Sequence, residues 1–107
     1  MVTKRVRKRY LALRVESEQH FNERDLMDAV WNAVLQLFGE YGAGQTNLRL
    51  IKYDLERSYV VVHCSHLVLE NVRASIASVT EIQGKPAVIR VIGVSGTLRG
   101  LRKKALM

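Results

Sequence analysis

The chain has 107 residues, 48% apolar and 25% charged, with one proline and one cysteine, which suits a single domain that buries roughly two-thirds of its unfolded surface around one core and is too apolar for a disordered segment. Cys64, standing alone, allows no internal disulfide and no multi-cysteine zinc site and points to a reducing, cytoplasmic setting; neither a signal peptide nor a membrane span is expected, since no run approaches the roughly 18 apolar residues that a span needs. The net charge of +7 is segregated: Lys4, Arg5, Arg7, Lys8, Arg9 and Arg14 stand near one end and Arg99, Arg102, Lys103 and Lys104 near the other with no acid among them, while residues 15–94 hold seven basic side chains against all ten acids.

Residues 9–16 alternate, with Leu11, Leu13 and Val15 on one side and Tyr10, Ala12, Arg14 and Glu16 on the other, which predicts a half-buried first strand continuing a basic arm over residues 1–9. A polar loop follows over residues 17–20. Asn22 is placed as an N-cap, with Glu23, Asp25 and Asp28 near the positive end of the helix and Phe21 stapled to Leu26. Leu26, Met27, Val30, Trp31, Val34, Leu37 and Phe38 then form a continuous apolar face, with Met27 and Trp31 read as core, and Gly39 is placed to stop the helix. Residues 41–44 read as a loop.

The second strand is expected over residues 46–55, where Leu48, Leu50 and Ile51 are too closely spaced for plain alternation and call for a bulge or a change of buried face. A tight turn at residues 54–57 leads into a central strand over residues 58–64. A second helix over residues 66–80 carries Leu69, Val72, Ile76 and Val79 along one stripe; residues 84–86 break the chain before a β-branched strand over residues 88–94. Ser95 and Gly96 end that strand. Thr97 caps a short helix with Leu98, Leu101 and Ala105 on one face and Arg99, Arg102, Lys103 and Lys104 around the rest.

The order βαββαβ predicts an α+β, ferredoxin-like sandwich, as in RNA-recognition domains: a four-stranded antiparallel sheet with two helices on one face, plus a short basic C-terminal helix over residues 97–107, all within one domain. The open face is expected to carry Tyr10, Arg14, Tyr59 and His63, unless the terminal helix covers it. The strand over residues 57–63 lacks the glycine and the aromatic pair with which RNA-recognition domains stack bases.

No catalytic constellation emerges. In residues 63–66, His-Cys-Ser-His, a strand would point Cys64 and His66 to one side, but no further ligand has metal-site spacing and no nucleophile signature surrounds Cys64. The acids sit at helix starts and in the hairpin turn, where capping accounts for them, and no glycine-rich phosphate loop is present. Acylphosphatases share the strand order, yet residues 16–20 do not supply their phosphate-cradling loop. No metal or cofactor is therefore expected on the chain. Basic segments flanking one sheet instead form the footprint of a polyanion ligand.

The start Lys8-Arg9-Tyr10-Leu11-Ala12-Leu13-Arg14-Val15, the strands Ile51-Lys52-Tyr53-Asp54 and Tyr59-Val60-Val61-Val62-His63-Cys64, and the run Arg90 to Arg99 with its Ser95-Gly96-Thr97-Leu98-Arg99 turn resemble the ribonuclease P protein component 2 family over nearly the whole chain. The resemblance implies a non-catalytic subunit of a ribonucleoprotein endonuclease that removes the 5′ leader from precursor tRNA. It implies that the RNA holds the magnesium and performs the chemistry, and that a TIM-barrel-like protein subunit is the partner in a heterodimer or heterotetramer. Arg9, Tyr10 and Arg99 carry over from the matched motifs. Lys4, Arg5, Arg7, Lys8, Arg14, Arg102, Lys103 and Lys104 join them as expected RNA contacts on charge alone. The alternative is a free-standing RNA-binding module of the same fold.

Overall fold

The computed structural model describes residues 7–105, so Lys4 and Arg5 lie outside the described residues, as does the side chain of Ala105. Alternation governs β1 (Lys8–Glu16), where Leu11 and Leu13 are fully buried and Arg14 is exposed. Asn22 caps α1 (Glu23–Gly44), its side chain accepting from the Asp25 N–H at 2.8 Å, and Phe21 and Leu26 both enter the core. Next come β2 (Arg49–Asp54), β3 (Tyr59–Ser65), a 3-10 turn (His66–Val68) and α2 (Leu69–Ser78). The chain continues through β4 (Glu81–Ile82), β5 (Lys85–Pro86), β6 (Val88–Ser95) and α3 (Leu98–Ala105).

The strands order as β2-β3-β1-β6, all antiparallel, so both inner positions go to the strands richest in buried side chains. Leu26, Val30 and Ala33 of α1 and Val72 and Ile76 of α2 pack on Leu11, Leu13, Val60, Val62, Cys64 and Ile89. Both helices therefore cover one face, and the fold is the ferredoxin-like α+β arrangement. Among the described residues no helix is long and apolar enough to cross a membrane.

Two bulges adjust the alternation. In β2 the register slips between Leu50 and Lys52, so Leu50 and Tyr53 both face the core while Ile51 and Lys52 turn together to the opposite face. In β6 the slip leaves Ile92 unpaired, so Val91 and Val94 keep the core face and Ile92 joins the other side. The expected bulge in the second strand is present; the one in β6 carried no crowding signal.

Several boundaries differ from expectation. Gly39 does break the regular helix, with φ 72° and ψ 176°, but residues 41–44, expected as a loop, resume one helical turn. Trp31 is 38% exposed and Leu37 50%, so neither is core. At about 100° per residue Trp31 lies some 140° from Leu26, outside the stripe of Leu26, Val30, Ala33 and Val34; Leu37 falls in the last turn before the break. Residues 84–86, read only as a break, belong to a small hairpin over residues 81–86 whose turn residues Gln83 and Gly84 have φ 53° and 75°, the mirror-image turn that fits strand twist.

Gly39 occupies backbone space that is essentially restricted to glycine, while nothing lies within 4 Å of a Cβ built there. Gly39→Ala is expected to cost about 1–3 kcal/mol in urea unfolding through backbone strain alone. Gly44→Ala, equally unobstructed and without a positive φ, should stay within about 0.5 kcal/mol of wild type.

Candidate nucleic-acid interface

Antiparallel pairing of β1 with β6 sets Tyr10 opposite Ser95, which brings the two basic segments to one end of the sheet. Arg9 reaches the turn that follows β6: a Cβ built on Gly96 would stand 3.4 Å from its Nη1. Thr97 caps α3, its Oγ1 accepting from the Gly100 N–H at 3.0 Å. A Cβ on Gly100 would press on Ser95 Oγ, so a larger residue there would turn that hydroxyl away from the Thr97 N–H, from which it accepts at 3.3 Å. Leu101, 1% exposed, docks α3 on Ala12, Tyr59 and Val61, while Leu98 stays 41% exposed and contributes little to the anchor. Lys104 Nζ donates to the Val94 carbonyl at 3.1 Å, strapping the helix to β6.

Arg7, Lys8, Arg99, Arg102, Lys103 and Lys104 are exposed, and Arg9 and Tyr10 half-buried. Arg14 is exposed too, but stands at the other end of β1, opposite Tyr59 and Arg90. Arg90 is itself paired with Glu16 at 2.8 Å.

The face away from α1 and α2 carries Lys8, Tyr10, Ala12 and Arg14 from β1 and Tyr59, Val61 and His63 from β3, as alternation requires. Tyr10, Arg14, Tyr59 and His63 thus share the expected face, with α3 lying across its middle. Tyr10 meets His63 edge to face, ring centroids 5.7 Å apart, and Tyr59 is buried beside Leu101, so these rings form no open stacking platform. Arg49 and Lys52 of β2 also belong to this face, opposite His63 and Val61. Neither was among the expected contacts. Their signal was the crowding at Leu50 and Ile51, which foretold the bulge that turns Lys52 outward.

Two buried polar atoms on this face have no hydrogen-bond partner among the described residues: Tyr59 Oη and His63 Nδ1. Burial raises the Tyr59 pKa above its ordinary 10.0 despite the opposing pull of Arg102, so the phenol is a neutral donor. Burial, reinforced by Lys8 and Arg49, lowers that of His63; the nearby carbonyls of His63 and Asn47 pull the other way. Alternation sends Cys64 into the core, where burial raises its thiol to about 11, leaving it a poor nucleophile. The expected pairing of Cys64 with His66 on one side does not form: β3 ends at Ser65, and His66 opens the 3-10 turn with Nδ1 3.2 Å from the Arg7 carbonyl oxygen. Among the described residues no three His, Cys, Asp or Glu side chains converge as metal ligands. The cleft of about 410 Å³ beside α1 holds Asp25, Asp28 and Glu81, with Asp25 accepting from Gln83 at 3.2 Å.

With this geometry in hand, the sequence model of the Rpp14/Pop5 family matches residues 9–106. A Pyrococcus furiosus protein named ribonuclease P protein component 2 is 38% identical over 97% of this chain and 87% of its own length. A protein of the same name from Methanosarcina mazei is 33% identical, over 95% and 86%. One chain in the structure of yeast ribonuclease MRP, 16% identical, shares the fold with a TM-score of 0.74 over 92% of this chain and 80% of that one.

His63 gives the fold a pH dependence. Its folded pKa lies below 6.5, so the unfolded chain takes up the proton first as pH falls; the neutral form's stability is complete above about 6.5 and lost through the folded pKa. The urea midpoint should fall as pH drops from about 7.5 to about 5.5, and His63→Phe should flatten that decline.

Proposed function

The chain belongs to the Rpp14/Pop5 family, and from that premise we propose that it is a non-catalytic protein subunit of ribonuclease P, acting with the catalytic RNA in removal of the 5′ leader from precursor tRNA. The observation that carries this reading is the meeting of Arg9 with the turn into α3, which joins two acid-free basic segments at one end of the sheet. A chain whose body is slightly acidic and whose ends are basic concentrates its field where a polyanion is to be held.

The mechanism is electrostatic. Lys8, Arg9, Arg99, Arg102 and Lys103 lie against phosphates of the folded RNA, release condensed counterions and lower the repulsion that opposes compaction. Arg7, Tyr10, Arg14 and Lys104 add positioning contacts, and Lys4 and Arg5 extend the same charge along the arm. The RNA then binds its magnesium at lower free concentration, and the metal chemistry stays with the RNA. The chain supplies no catalytic group and works in the cytoplasm. A TIM-barrel-like protein subunit is its proposed partner, in a heterodimer or heterotetramer.

The test is precursor tRNA cleavage by a ribonuclease P RNA reconstituted with this chain and that partner. Replacing Arg9, Arg99, Arg102, Lys103 and Lys104 by Ala should raise the magnesium requirement. It should also make RNA affinity less salt-dependent, by roughly 0.7–0.9 in log–log slope for each phosphate that is no longer neutralised. Wild-type protein that neither binds that RNA nor changes its cleavage would overturn the proposal; binding to other RNAs alone would mark a free-standing RNA-binding module.

A further inference from the structure

Tyr59 and His63 stand four residues apart on the outer face of β3, about 13 Å at ~3.3 Å per residue, with Val61 and the docked Leu101 between them. Each is more than nine-tenths buried and carries a polar atom, Tyr59 Oη or His63 Nδ1, with no hydrogen-bond partner among the described residues. Such a group normally costs stability unless something satisfies it, so the pair requires an explanation.

The surroundings of both are cationic. Tyr59 lies in a cavity of about 70 Å³ walled by Ile51, Leu98 and Leu101, with the exposed Lys52 and Arg102 completing it. That space suits the oxygens of a small anion and not a planar base. The cross-strand neighbour of Tyr59, Asp54, is engaged elsewhere, accepting from the Arg57 N–H at 3.2 Å and facing its guanidinium at 3.8 Å. At the other end, His63 has the exposed Lys8 and Arg49 beside it. The side chains over both positions are long and exposed, so rotation of Arg102 or Arg49 opens the approach.

We propose that the outer face of the sheet holds two phosphate seats, Tyr59 with Lys52 and Arg102 and His63 with Lys8 and Arg49, that engage successive points of one RNA strand running past α3. This rests on the RNA-binding reading above and deepens it by adding Tyr59, His63, Lys52 and Arg49. At the first seat the Tyr59 hydroxyl donates to a phosphate oxygen between two cations. At the second, the Nδ1–H tautomer of His63 does the same. Repetition of one arrangement, a recessed neutral donor flanked by two exposed cations, matches the repeating anions of a nucleic-acid backbone better than a single carboxylate of a protein.

The full chain is titrated with ribonuclease P RNA at several salt concentrations, beside Tyr59→Phe, which removes only the hydroxyl, and His63→Phe, which puts an aromatic ring without nitrogens in place of the imidazole. Each variant should bind about tenfold more weakly with an unchanged salt slope, because a hydrogen bond to an ion disappears and no charge is removed. At neutral pH Tyr59→Phe should not unfold earlier than wild type, because the deleted hydroxyl has no hydrogen-bond partner among the described residues. Lys52→Ala and Arg49→Ala, on exposed side chains, should instead make the slope shallower by roughly 0.7–0.9 each. If wild type binds and either aromatic variant binds equally well, or if both slopes stay unchanged, the seats are wrong while RNA binding stands. If wild type does not bind the RNA, the reading beneath the seats fails with them. If a polyglutamate peptide binds in a Tyr59-dependent way and RNA affinity is unaffected, the face serves an acidic protein segment and the assignment to RNA is overturned.

Discussion

The pairing of β1 with β6 is the contact on which the rest of the molecule depends. It closes the chain on itself, the first strand lying beside the last, and it does so in the antiparallel sense, which puts the start of β1 next to the end of β6. Two basic segments, far apart in the chain, thereby become neighbours. The bulge at Ile92 is part of the same arrangement: it keeps Val91 and Val94 in the core while supplying an apolar side chain to the opposite face, where α3 needs a surface to dock on.

That docking is slender. Leu101 is the one leucine of α3 that is buried, and the Thr97 cap and the Lys104 contact to the Val94 carbonyl hold the helix ends. A helix anchored so narrowly covers the centre of the sheet and leaves polar groups at either side, Tyr59 toward one end and His63 toward the other. The main core lies on the far side of the sheet, under α1 and α2, and is built of apolar side chains, while the buried Ser75 of α2 donates its hydroxyl to the Asn71 carbonyl at 2.9 Å. Stability and surface chemistry are thus divided between the two faces of β3, all seven of whose residues are buried.

The division bears on the electrostatics of the proposed RNA contact. Cations on a flexible arm would bind a polyanion with little geometry, since each long side chain must be ordered on contact. Here a strand start, a capped turn and a strapped helix bring the cations within reach of one another, and the bulge in β2 adds Lys52 beside Tyr59. The ion pair of Arg90 with Glu16 sits at the far end of the β1–β6 pair and, being exposed, contributes at most about 1 kcal/mol, so Arg14 there stands apart from the cluster around α3.

Local physics made much of this legible in the sequence. Alternation identified β1, and continuous apolar and β-branched runs identified β3 and β6; Asn22 and Thr97 announced their helices through capping; Leu50 beside Ile51 signalled a bulge; and the charge segregation was plain without any fold. What short-range patterns could not carry was decided by contacts between distant elements. Trp31 has the periodicity of a core residue only if the buried stripe is wide, and the width is set by how α1 meets the sheet. The hairpin at residues 81–86 has strands of two residues, too short to alternate. The lateral order of strands, the meeting of Arg9 with Gly96 and the placing of Arg49 and Lys52 beside buried donors follow from register, and register is a property of the packed sheet. The sequence by itself determined which main strands and helices form and where positive charge lies; the tertiary structure alone decided which charges share a surface, because that depends on antiparallel pairing across more than eighty intervening residues.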